Sequence, residues 1–137
     1  MMIEGDDFIK TVKEYFSFLP KEYNLTDITE KVRGNVFYDV QFHHPSKAIS
    51  ISYENVEDYL QVIVFKLRNG EMPNYDDKTS TLHLNALTKI AFSKTTKGDI
   101  DLNNNFFNSY KPDDDFKRKL LKSAKDLRLS MKMIDSL

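Results

Sequence analysis

The chain has 137 residues, the usual size of one domain, with 40% hydrophobic and 30% charged residues, which is a globular composition. It contains no cysteine, which excludes disulfide bonds, thiolate metal sites and a cysteine nucleophile. The formal net charge of −1 provides no overall positive field that would attract nucleic acid.

The sequence carries no recognisable targeting or membrane-spanning segment. Acidic residues stand near the N-terminus, where a signal peptide needs basic residues, and no apolar core follows them. The densest apolar segment, residues 59–67, is far shorter than the ~20 residues of a membrane-spanning helix. We therefore expect a cytoplasmic protein that binds neither membranes nor nucleic acid and that needs no cofactor.

Residues 6–19 have the pattern of an amphipathic helix. Five apolar side chains recur at spacings of three and four and so share one helix face. These residues are Phe8, Val12, Tyr15, Phe16 and Leu19. Asp6 or Asp7 can cap the start, and Pro20 predicts the end because the residue before a proline disfavours helical geometry.

The middle of the chain alternates with a period of two, which predicts β-strands at residues 35–43, 48–53 and 59–67. The connectors between these segments are short and polar, and short connectors join antiparallel strands. A weaker strand is predicted at residues 25–33. The pattern therefore predicts an antiparallel meander sheet of three to four strands.

Beyond a polar loop, residues 81–92 predict a short helix, although their β-branched residues leave a strand open, and residues 93–112 predict a loop. From Pro112 onward, an apolar stripe at helical spacing predicts a long C-terminal helix. The stripe consists of Phe116, Leu120, Ala124, Leu127, Met131 and Ile134. We therefore expect one α+β domain over residues 1–137, with the N-terminal and C-terminal helices packed on the sheet.

The adjacent histidines His43 and His44 are the first candidates for chemistry. Neighbouring residues on a strand point to opposite faces, so these two rings cannot easily bind one metal ion. We interpret them as the rim of the sheet and assign no catalytic, cofactor-binding or metal-ligating residue. A small enzyme that uses His43 or His83 with a nearby carboxylate stays open as an alternative.

Acidic side chains are concentrated between residues 54 and 77, where six acids stand against two basic residues. A solvated loop is the simpler interpretation of these acids. A binding surface is the main rival, because tyrosines are interleaved with the acids and aromatic residues recur at protein interfaces. The predicted partner-binding residues are Glu54, Glu57, Asp58, Tyr75, Asp76 and Asp77.

The order of parts resembles that of a loose group of small bacterial proteins. A helix with FIKTVKEYFSFLPKEYNL leads into the strands VFYDVQF, AISISYE and LQVIVFKL, and the chain closes with FKRKLLKSAKDLR. Some proteins of this group are encoded beside secreted toxins and are regarded as immunity proteins. The resemblance implies a non-catalytic α+β domain that binds and neutralises a cognate toxin. It assigns no site residue.

The leading hypothesis is therefore a protein-binding domain, with a toxin as the partner that the resemblance implies. An acidic surface would suit a basic cleft, because complementary charge raises the association rate. A self-associating module is a further alternative. It would form a homodimer through the flank of the C-terminal helix that carries Leu129, Met133 and Leu137.

Overall fold

The computed structural model describes residues 3–74 and 76–134. The chain divides after His83 into two compact units. We call them the N-terminal unit, which ends at His83, and the C-terminal unit, which begins at Leu84. The predicted α+β class is confirmed, whereas the single domain over residues 1–137 stays a prediction.

The N-terminal unit consists of two helices followed by an antiparallel sheet. The helices are α1 (Gly5–Tyr15) and α2 (Phe18–Tyr23). The strands are β1 (Asp27–Arg33), β2 (Phe37–His44), β3 (Lys47–Glu54), β4 (Tyr59–Lys66) and β5 (Thr81–His83). Within the described residues the sheet has five strands in the order β1-β2-β3-β4-β5, so the meander is confirmed with more strands than expected.

The predicted end of the first helix at Pro20 is wrong. Helix α1 ends at Tyr15, and Pro20 lies within the first turn of the separate helix α2. A proline is tolerated there because the first backbone N–H groups of a helix have no intrahelical acceptor. The five apolar residues predicted to face inward are all buried.

The alternating pattern places one apolar face of the sheet against helix α1. The register pairs Tyr38 with Tyr53 and Val40 with Ile51, and these side chains are buried. The ring of Phe8 in α1 lies 5.6 Å from the Tyr38 ring and 6.1 Å from the Tyr53 ring, measured between centroids. Helix α1 therefore packs on the apolar face as predicted, and the polar residues of these strands occupy the opposite face.

The C-terminal unit contains helices α3 (Leu84–Lys94), α4 (Lys97–Phe106) and α5 (Asp115–Ile134). Helix α5 confirms the predicted C-terminal helix, and its six-residue apolar stripe is buried. Helix α4 shows that the predicted loop over residues 93–112 is wrong. It begins with a capping box, in which the Thr96 hydroxyl accepts from the Asp99 N–H and the Asp99 carboxylate accepts from the Thr96 N–H.

Candidate functional site

The two adjacent histidines diverge at the end of strand β2, as the strand pattern predicts. The His43 ring lies 3.0 Å from the Gln41 side-chain oxygen, whereas the His44 ring lies 2.9 Å from the Ser46 hydroxyl. The third histidine, His83, lies 3.4 Å from the Gln61 amide nitrogen in the neighbouring strand. These contacts are hydrogen bonds to neutral side chains.

A chain of hydrogen bonds crosses the polar face of the sheet. The Ser50 hydroxyl donates to one oxygen of Asp39 at 2.6 Å, and the Gln41 amide donates to the other at 2.8 Å. The same Gln41 side chain contacts His43. An amide therefore separates the carboxylate from the imidazole, so the two do not form a direct acid–base pair.

Strand β4 separates the predicted partner-binding residues into two groups. Glu54, Glu57 and Asp58 lie at the β3–β4 turn, whereas Asp76 and Asp77 lie in the loop that follows the other end of β4. The eight residues of β4 span roughly 23 Å at about 3.3 Å per residue. The structure therefore does not bring the two groups into one surface, and Tyr75 lies outside the described residues.

The β3–β4 turn exposes apolar and acidic side chains together. Val56 is 74% exposed and Tyr59 is 53% exposed. Glu57 and Asp58 are also exposed between them, and Glu54 is half-buried at the end of β3. We call this group, Glu54 and Val56–Tyr59, the turn surface.

Hydrogen bonds of Asn55 hold this turn in place. Its buried side chain donates to the backbone carbonyls of Ile3 and Asn35 and to the Tyr38 hydroxyl, and it accepts from the Ile3 N–H at 2.9 Å. Its backbone N–H donates to the Val36 carbonyl at 2.9 Å. One side chain thus ties the turn to the N-terminal segment, to the β1–β2 connection and to strand β2.

Asp58 closes the turn. Its backbone has a φ of 48°, in the left-handed region that aspartate tolerates better than most residues. Its carboxylate accepts a hydrogen bond from the Tyr53 hydroxyl. Burial, followed by this bond to an anionic acceptor, raises the pKa of Tyr53 well above its ordinary value of 10.0.

The second acidic group is partly used to shape its own loop. The Asp77 carboxylate accepts from the Thr79 hydroxyl at 2.7 Å and from the Thr79 N–H at 3.1 Å. Both bonds lower the pKa of Asp77, and the bond from the Thr79 hydroxyl has the larger effect. Asp76 is exposed beside it. Asp77 thus has a structural role, and a role of either aspartate in partner binding stays a prediction.

The sequence pattern draws attention to the acids of the turn surface and to the tyrosines interleaved with them, but not to Val56. The available signal was a β-branched apolar residue inside the acidic turn ENVED. On the C-terminal helix, Leu129 and Met133 are half-buried, and Leu137 lies outside the described residues. Self-association through this flank stays a prediction.

The described residues contain neither a cluster of metal ligands nor a membrane-spanning helix. Within residues 3–74 and 76–134, no three or more histidine, aspartate or glutamate side chains gather into a possible metal site. None of the helices in those ranges combines the length and the apolarity that crossing a bilayer requires. Comparisons with protein-family models, curated proteins and solved structures give no significant match to this chain.

Proposed function

We propose that the protein is a non-catalytic protein-binding domain and that its turn surface contacts the partner. The observation that carries this proposal is Val56, an apolar side chain that is 74% exposed at the tip of a firmly held turn. Ordering a loop on binding costs free energy, so a turn that is already ordered binds with a smaller entropic cost. Asn55 and Asp58 supply that order through their hydrogen bonds.

The charges around Val56 indicate the chemistry of the partner. Glu54, Glu57 and Asp58 surround the apolar tip with negative charge, and Tyr59 adds an exposed ring. A complementary surface would be basic and would hold a small apolar depression for the valine. Opposite charges on two proteins raise their association rate and disfavour wrong partners.

A toxin with a basic cleft, such as one that acts on nucleic acid, has this chemistry. The specific form of the proposal is therefore an immunity protein that neutralises a cognate toxin in the bacterial cytoplasm. Two features support it: the acidic, preordered turn and the resemblance in the order of elements.

Site-specific crosslinking tests the turn surface before the partner is known. A photoreactive amino acid replaces Val56 in one variant and Val32 in a matched control, because Val32 is also exposed, at 52%, but lies on strand β1. We expect a discrete crosslinked protein from position 56 in the source cells and little from position 32. Equal crosslinking at both positions would refute the assignment of the surface.

Binding to the purified partner then tests the contacts. We expect Val56→Ser to speed dissociation and Glu57→Lys to slow association, because apolar anchors and peripheral charges act on these two rates respectively. Leu102→Ser, at a 70% exposed position in the C-terminal unit, is the control and should leave both rates unchanged. For the immunity form, co-expression should relieve toxicity of the partner, and the double variant Val56→Ser/Glu57→Lys should lose this relief.

A further inference from the structure

The C-terminal unit contains a cleft of about 390 Å³ that helices α4 and α5 line together. This volume lies in the range of small-molecule sites, which is about 300–1,000 Å³. The wall on α5 follows one stripe of the helix from Arg118 to Leu129, and the facing wall on α4 includes Ile100. The cleft is independent of the turn surface, because every residue in its lining belongs to the C-terminal unit.

Large apolar side chains line the cleft, namely Phe92, Ile100, Leu121 and Leu129. Leu121 is buried and Leu129 is half-buried, whereas the other two remain open to solvent. Phe92 is 49% exposed and Ile100 is 40% exposed. Contiguous exposed apolar side chains are unfavourable in water and commonly mark a binding site.

One side chain holds the two walls of the cleft together. Asn103, only 2% exposed, donates from its amide nitrogen to the Lys125 carbonyl at 3.0 Å and accepts from the Arg128 guanidinium at 2.8 Å. The same guanidinium lies 3.9 Å above the Phe106 ring centroid. The cleft is therefore formed before any ligand arrives.

Three cations and one anion give the lining an excess of positive charge. Arg118 is paired with Asp115, and Lys122 is paired with Asp126. Lys125 is half-buried, and within the described residues no carboxylate forms an ion pair with its ammonium group. A lysine can lay its aliphatic stem along apolar surface while its charge stays available to an anion.

We propose that this cleft binds a small amphipathic carboxylate, a molecule with an aliphatic chain and one terminal carboxylate. The chain lies on Phe92, Ile100, Leu121 and Leu129, and the carboxylate pairs with Lys125. The volume favours a small molecule over a folded partner. The Lys125 ammonium group, which has no ion pair within residues 3–74 and 76–134, selects an anion over a neutral or cationic amphiphile.

Calorimetry with four probes tests both halves of the ligand. The probes are dodecanoate below its micelle concentration, dodecan-1-ol, dodecyltrimethylammonium and acetate. We expect dodecanoate to bind one to one. Dodecan-1-ol and dodecyltrimethylammonium should bind at least roughly tenfold more weakly because they lack the hydrogen bond between a carboxylate and Lys125, and acetate should bind at least roughly tenfold more weakly because it lacks the aliphatic chain. Absence of dodecanoate binding, or equal binding of the cationic probe, overturns the proposal.

Variants locate the site. Lys125→Gln should weaken dodecanoate binding roughly tenfold, whereas Lys119→Gln, an exposed position on the same helix outside the lining, should not. Ile100→Trp fills the cleft and should abolish binding, with circular dichroism confirming that the helices persist. Methyl resonances of Leu121 and Leu129 should shift on titration of the unmodified protein. Equal losses in both lysine variants, or shifts confined to methyl groups of the N-terminal unit, overturn the site.

Discussion

Replacing Asn55 with alanine tests whether the turn surface is firmly held. The change removes the bonds that the side chain makes to Ile3, Asn35 and the Tyr38 hydroxyl, while the backbone bond to Val36 can persist. Alanine offers neither a donor nor an acceptor in their place. The N-terminal segment and the turn then lose their common side-chain link.

The expected loss can be worked from these contacts. A typical intramolecular hydrogen bond contributes about 1 kcal/mol net, and a buried group that loses its partner can cost about 1–3 kcal/mol. Four groups lose a partner, namely the N–H and the carbonyl of Ile3, the Asn35 carbonyl and the Tyr38 hydroxyl. Ile3 is half-buried and Asn35 is exposed, so water can replace part of their loss. We therefore expect Asn55→Ala to lower the free energy of unfolding by about 3 kcal/mol, a large share of the 5–15 kcal/mol typical of a domain.

Urea unfolding followed by near-ultraviolet circular dichroism measures this loss. Six of the seven tyrosines lie at or before position 75, so the signal chiefly reports the N-terminal unit. We expect a lower midpoint with an unchanged slope. Asn74→Ala, at an exposed position in the same unit, should change stability by less than about 0.5 kcal/mol. A loss as small as this in Asn55→Ala would refute the reasoning.

Two further predictions concern the capping box and the buried tyrosine. Thr96→Ala should destabilise the C-terminal unit by about 1 kcal/mol in thermal unfolding. Thr96→Ser should retain most of the stability, because serine restores the hydroxyl that accepts from the Asp99 N–H. Equal losses in the two variants would contradict a role of the hydroxyl. The raised pKa of Tyr53 means that the folded state holds the phenol proton more tightly than the unfolded state. The contribution of the protonated Tyr53 phenol to the free energy of unfolding is therefore complete below about pH 10 and declines as the pH rises above it. The stability advantage of the unmodified protein over Tyr53→Phe should shrink between pH 9 and 11, and a constant difference would show that the proton is not held.

The sheet could be predicted because its side chains alternate over long segments. Residues such as Val40 and Ile51 occupy one face of adjacent strands, and the register follows from turns that are too short for any crossover. The fifth strand has only three residues, Thr81–His83, and no alternation can be recognised over that length. It forms because strand β4 offers an edge to which these residues bond.

Helix α4 was missed because its stability does not come from a regular apolar stripe. The buried residue within it is Asn103, which is polar, and several of its apolar residues, such as Leu102, remain exposed. Its start was visible in the sequence TKGD, where threonine and aspartate three residues apart form the capping box. A search for apolar periodicity alone does not detect a helix of this kind.

The candidate site could be predicted only in part, because the sequence shows charge but not distance. Glu57 and Asp76 belong to the same acidic stretch, yet a whole strand separates them in the fold. The cleft of the C-terminal unit depends on the pairing of α4 with α5, and the sequence pattern predicts a loop where α4 lies. Lys125 could not be distinguished from its neighbours until their ion pairs were known.

Hydrogen bonds on the polar face of the sheet and at the turn are consistent with the proposed binding role of the N-terminal unit. On the polar face, one oxygen of Asp39 accepts a hydrogen bond from Ser50 and the other accepts one from Gln41. The side-chain oxygen of Gln41 also forms a hydrogen bond with the His43 ring. These hydrogen bonds tie the Asp39 carboxylate to side chains of its own sheet. At the turn, the bonds lie beneath the chain and leave Val56 and Glu57 directed at solvent. This arrangement fixes the backbone and exposes side chains of mixed chemistry, and it is the physical basis of the proposed contact with another protein.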